Sequence, residues 1–162
     1  MKILRGLGIG LAAVVGLLVA VGTVARFQDG GLGPFPGGPL RAGELISDPQ
    51  VDWSFAASVQ EIDFQLLEPP RSRVTWVLVH DGELYIPCGF PNFRLLKQWP
   101  HEAVRDGRSL LRIQGKRYQR QAVRVDDPRL LAVLAEQLRK KYPAGERYDA
   151  DTLWFFRMDP RT

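Results

Sequence analysis

The residues of this sequence best suited to gripping an anion lie in one stretch, YIPCGFPNFRLLKQWP, which runs from Tyr85 to Pro100 and contains Arg94, Lys97 and Trp99. Two closely spaced cations and an indole supply charge and a flat apolar face, the combination that holds a phosphate or carboxylate beside a ring. Pro91 counts against a backbone cradle in the same stretch, because proline brings no amide donor. Cys88 is the only cysteine, so no internal disulfide can form. It reads either as a thiol activated by a nearby cation or as a small apolar residue at the end of a strand. His80 and His101 have no partner at motif spacing, and there is no Gly-x-Ser-x-Gly, no phosphate-cradling Gly-Lys-Ser/Thr loop and no metal-ligand spacing. The sequence therefore predicts no metal and assigns no catalytic residue.

The formal charge of +4 is carried largely by the N-terminus. With Lys2, Arg5 and Arg26 set aside, 19 basic residues face 18 acidic ones, which removes the case for nucleic-acid binding. The remaining charge is uneven. Phe27 to Phe93 has 3 basic and 9 acidic residues, whereas Arg94 to Arg124 has 9 and 2, including Arg108, Arg112, Arg120 and Arg124. This basic middle third reads either as a surface for an anionic ligand, partner or lipid headgroup, or as a solvated face balanced by the acidic first third.

Leu7 to Val24 contains no charge and approaches the roughly 20 residues that cross a bilayer. Lys2 and Arg5 precede it, so an anchored chain keeps its N-terminus in the cytoplasm and places the domain in the periplasm or outside the cell. A cleaved signal peptide is the competing reading, and it exports the domain equally. The expected organisation is a transmembrane anchor or signal peptide over 1–26, a Gly/Pro-rich linker over 27–50 that Phe35 and Leu40 could pin to the surface, and one domain over 51–162.

Within the domain, Asp52 to Ala56 suggests a short strand, and Glu61 to Glu68 alternates as a half-buried strand does. Asp81-Gly82 turns a hairpin between Arg73–His80 and Glu83–Ile86, and a second hairpin, Arg108 to Val125, turns at Gly115-Lys116. Asp127 and Pro128 start a helix with Leu130, Leu131, Leu134, Leu138 and Tyr142 on one face. Thr152 to Pro160 reads as a last strand. The expected fold class is mainly β: six antiparallel strands in a closed or partly closed barrel, with one helix in the second half.

VTWVLVHDGELYI, then a connecting segment with a lysine and Trp99, then VRDGRSLLRIQGKRYQRQAVRV, a helix and LWFFRMDP together resemble the flavin-binding split barrel. The closest branch is the deazaflavin-dependent nitroreductase and quinone-reductase type, and the similarity covers about Glu61 to Pro160. The resemblance implies FMN or a deazaflavin as cofactor, with Arg94 and Lys97 on the phosphate, Trp99 flanking the site and Arg112 on the following strand. It also implies hydride delivery to a small or quinone-like acceptor and pairing into a homodimer. The alternative keeps the fold without a cofactor, as a non-enzymatic module that binds a protein, lipid headgroup or other anion through the basic middle third.

Overall fold

The computed structural model describes residues 2–33, 35–93, 97–148 and 152–161, apart from the side chains of 2–7 and 9. Helix α1, Lys2–Ala25, leads into eight strands and two further helices. The strands are β1 Glu44–Ile46, β2 Glu61–Leu66, β3 Arg71–Trp76, β4 Leu78–His80, β5 Glu83–Gly89, β6 Arg108–Ile113, β7 Lys116–Arg124 and β8 Leu153–Pro160. Helix α2, Trp99–Arg105, precedes β6, and α3, Pro128–Lys141, precedes β8. The main path through the sheet is β3-β2-β6-β7-β8-β5-β4, antiparallel throughout, and β1 adds parallel to β7. The mainly-β expectation holds.

The strand count rises from the expected six to eight for two local reasons. The run expected as one strand from Arg73 to His80 divides at Val77: β3 pairs with β2, and β4 pairs with β5. The Gly/Pro-rich segment also contributes β1, which fills the part of β7 that β8 leaves unpaired. The two ends of the path, β3 and β4, are thus neighbours in sequence but have no ladder between them, so the sheet is open.

Local chemistry explains most boundaries. Asp81 and Gly82 both take positive φ, as the two-residue hairpin requires, and Gln114 and Gly115 do the same one position before the expected turn centre. The expected strand at Asp52 is instead a 3-10 helix, Trp53–Ser58, because the Asp52 carboxylate accepts the amide of Ser54 and winds the chain. Asp127 caps α3 in the same way, accepting from Arg129 N.

Two cores lie on opposite faces of β5 and β8. Leu84, Ile86, Cys88, Phe156 and Met158 pack inward with Phe64, Leu111, Trp53 and Trp99. Tyr85, Leu153 and Phe155 pack outward against Leu134, Leu138 and Tyr142 of α3. Leu134 and Leu138 are fully buried, a contribution of about 2 kcal/mol each. The C-terminal end of α3 reaches the break at Val77. The Tyr142 hydroxyl accepts from Val77 N at 3.1 Å and donates to Gln60 O at 2.7 Å, while Lys141 Nζ donates to Val59 O and Val77 O.

The Gly/Pro-rich segment does not hang free. Gly37 bridges Ser72 of β3, Leu40 is buried and donates its amide to Gln65, and Asp29 accepts the amides of Arg41 and Ala42. Gly31 lies so close to β3 that a Cβ there would sit 2.7 Å from Val74 N, which is why this strap needs glycine. Among the described residues no helix is long and apolar enough to cross a membrane. Helix α1 nonetheless carries Leu11, Val14, Leu17, Leu18 and Val19 at least half exposed.

Candidate functional site

The unpaired seam of the sheet is also its cavity. Among the described residues, β5 has no partner on its β4 side beyond Tyr85, and β3 has no partner opposite β2 except where the strap touches Ser72. A cavity of about 290 Å³ opens between Val74–Trp76 of β3 and Pro87–Gly89 of β5, closed by Trp99, Lys97, Tyr148 and the strap residues Gly33 and Pro36. Pro87 is tolerated in a strand here because its missing amide faces this unpaired edge. Gly89 is required because the ring of Tyr148 lies against it, where any Cβ would go.

Arg73 is the group that defines the site. It stands opposite Phe64 in the register of β2 and β3, and its guanidinium lies over the Trp99 ring, 5.3 Å from the centroid. Phe64 meets the same indole edge-on at 5.4 Å. The Arg73 side chain makes no ion pair or hydrogen bond among the described residues, and its Nε is buried without a partner. Burial pulls its pKa down to about 10, only partly offset by the charge of Glu102. The group stays protonated at neutral pH, so it is a half-buried cation awaiting an anion.

Lys97 lines the same cavity and donates from Nζ to Gly89 O at 2.6 Å. Trp76 stacks on Tyr142 with centroids 4.5 Å apart, and Tyr148 meets Trp76 edge-on, which gives the cavity an aromatic flank. Cys88 is also at the wall, but burial pushes its thiol up to about 11, and the charges of Lys97 and Arg73 do not reverse that. It is a packed thiol and not an activated one.

Of the residues singled out from the sequence, Lys97 and Trp99 meet at this cavity, while Arg94 lies outside the described residues. Arg112 does not line it. Arg112 sits directly opposite Asp63 in the register of β2 and β6, and it is clamped between Asp63 at 2.9 Å and Asp29 of the strap at 2.6 Å. Other cations of the basic middle third are engaged too, although Arg120 is buried over Trp53 with Nε and Nη2 unpartnered. Arg108 pairs with Asp106, Arg117 donates to Gly43 O and Leu40 O, and Arg124 pairs with Asp126 while covering Trp154 at 3.9 Å. His101 contacts Pro91 O at 2.9 Å and packs on Trp154, and His80 lies beside Asp81; neither lines the cavity. Among the described residues no cluster of His, Cys, Asp and Glu could hold a metal.

Sequence reasoning missed Arg73 because it reads as one polar position in an alternating strand. Only the tertiary structure shows that its guanidinium lies at the cavity wall with no carboxylate bonded to it among the described residues. No protein-family model matches this chain, and no curated protein matches it.

Proposed function

We propose that this chain is a membrane-anchored, extracytoplasmic binding domain that takes a small anionic ligand in the seam between β3 and β5. The reading treats the sheet as a barrel left unzipped along one line. Its two end strands, β3 and β4, are joined by Val77 alone, so the seam is short and leads directly into the cavity. The observation that carries the proposal is the unpaired guanidinium of Arg73, held over Trp99 at the cavity wall. A half-buried cation without a partner costs some stability, and a bound carboxylate or phosphate would offset that cost. The anchor is supported by the uncharged run from Leu7 to Val24 and by Leu11, Val14, Leu17, Leu18 and Val19 of α1, which are at least half exposed.

A flavin nucleotide, which the resemblance implies, fits these residues poorly. The amide of Phe90 donates to Thr152 O, that of Phe93 to Phe90 O and that of Lys97 to Phe93 O, and Pro87 and Pro91 have none. The Lys97 ammonium is committed to Gly89 O. Among the described residues of the loop these amides and Lys97 are therefore not free for a phosphate, and a cavity of about 290 Å³ is at the small end for ligand sites, which start near 300 Å³. The ligand proposed is therefore an anion with a modest apolar body, held by Arg73 and flanked by Trp99 and Trp76.

Thermal unfolding of the detergent-solubilised full chain tests this, with glycerol 1-phosphate, benzoate and FMN as probes. Glycerol 1-phosphate or benzoate should raise Tm in the wild type and not in Arg73→Leu. A response to FMN alone, with flavin absorbance retained after gel filtration, would restore the oxidoreductase reading. Equal responses in wild type and Arg73→Leu would remove the cavity from the account.

A further inference from the structure

A second groove adjoins the cavity at the foot of α1. It is lined by Val19, Gly22, Thr23 and Arg26 of the helix end, by Phe35 and Pro36 of the strap, and by Arg71 of β3. Pro36 belongs to the walls of both spaces, so the groove and the Arg73 cavity adjoin at this residue. Arg26, Arg71 and Arg73 follow this route in order. None of the three makes an ion pair or side-chain hydrogen bond among the described residues, unlike most of the cations on the opposite part of the sheet. Arg71 and Arg73 occupy alternate positions of one strand and therefore share a face. The field of Arg71 also bears on Arg73, in the direction expected for like charges in proximity.

The apolar half of the route is equally specific. Gly22 faces the Phe35 ring, which lies 3.5 Å from where a Cβ would stand, and lines the groove beside Val19, which is 63% exposed. Arg26 is the first charge after the uncharged run of α1, which places it at headgroup depth when the helix is embedded. Cations at that depth attract anionic lipid. A soluble anion would use the Arg73 cavity and leave the groove without a role, whereas a molecule with an anionic head and apolar chains uses both.

We propose that the seam receives the headgroup of a glycerophospholipid drawn from the bilayer that holds α1, with its phosphate on Arg73 and its acyl chains leaving past Pro36 along the helix end. This rests on the anchored, anion-binding reading above and names its ligand class. In a neutral membrane the three guanidiniums have no counter-charge, so binding favours an anionic lipid such as phosphatidylglycerol over phosphatidylcholine.

The test uses the full chain in nanodiscs of equal parts phosphatidylcholine and phosphatidylglycerol, with lipid retained on the protein read by native mass spectrometry. Wild type should keep one phosphatidylglycerol, and Arg73→Leu should lose it. Gly22→Leu fills the groove without touching Arg73. It should cut lipid retention at least tenfold while leaving the Tm response to glycerol 1-phosphate intact, which also shows that the variant folds. If wild type responds to glycerol 1-phosphate but retains no phosphatidylglycerol, or if Gly22→Leu retains it as wild type does, the lipid inference is overturned and the small-anion site stands. If wild type takes up neither probe, both are overturned.

Discussion

Arg112 and Arg73 are both largely shielded arginines facing β2, one from β6 and the other from β3, yet their surroundings differ in one respect. Arg112 stands across from Asp63 and under Asp29, and it donates to both carboxylates. Burial alone would lower its pKa, but the hydrogen bonds and charges of Asp63 and Asp29 outweigh it and raise the value. Arg73 stands across from Phe64 and over Trp99, bonds to no carboxylate among the described residues although the charge of Glu102 acts on it, and falls to about 10. The first arginine fastens the strap to the sheet; the second is a charge the fold leaves open. Charge count alone would assign both to one basic surface, and pairing separates them.

Removing the paired cation should cost most. Arg112→Met leaves Asp63 and Asp29 facing each other without a counter-charge, and we expect a loss of about 2–3 kcal/mol, or roughly 10 °C in Tm by circular dichroism. A neutral result would mean that the strap is held by its backbone contacts alone. Acid should act on the same joint. Burial alone would raise the Asp29 carboxyl, but hydrogen bonds from the amides of Ala42 and Arg41 and from Arg112 outweigh it and hold the group below its usual range. A depressed carboxylate stabilises above its unfolded pKa of about 3.9 and loses that contribution as pH falls below it, so protease cleavage at Arg41 should speed up below about pH 4.

The fastening at the seam's end ranks next. Tyr142→Phe strips Val77 N and Gln60 O of their partner, for an expected cost of about 1–2 kcal/mol measured by urea unfolding. Burial pushes the Tyr142 phenol up to about 12. A raised phenol stabilises fully below its unfolded pKa of about 10 and loses that contribution as pH rises through about 12, so wild type and the Tyr142→Phe variant should converge in stability in that window. Convergence at neutral pH instead would show that Lys141 alone holds the break.

Arg73→Leu should move in the opposite direction to Arg112→Met. It removes a desolvated, unpaired cation, and the ligand-free protein should gain about 1–2 kcal/mol, after discounting for the side chain's residual exposure. Destabilisation by that variant would remove the contrast between the two arginines. The smallest effect concerns Cys88: with its thiol raised to about 11, alkylation by iodoacetamide at pH 8 should be slower in the folded chain than in urea, by at least tenfold. Equal rates would show that the seam opens freely.

Much of the architecture was legible because it is written in local rules. The Asp81-Gly82 turn, the Asp127-Pro128 helix start, the alternation of Glu61 to Leu66 and the last strand each follow from turn chemistry, capping or period. The misreadings also have physical causes. Arg73 to His80 reads as one strand because nothing in its side chains marks Val77, where the pairing partner changes from β2 to β5. Strand β1 lies in a Gly/Pro-rich run whose composition argues against a ladder, and it exists because β7 offers an unpaired edge. Helix α2 is short and begins next to Pro100, so no periodicity announced it.

For the site, the sequence by itself determined that a cationic, tryptophan-bearing connection follows the first hairpin, and Lys97 and Trp99 do meet at the cavity. It also determined that one long uncharged run precedes the domain, since both statements depend only on residue type and order. Tertiary structure decided which cations are free. Asp29, 83 positions before Arg112, closes over it, whereas Arg73 lies over an indole and bonds to no carboxylate among the described residues. Whether a charge is satisfied depends on neighbours brought from distant parts of the chain, and that is settled by the pairing of the strands.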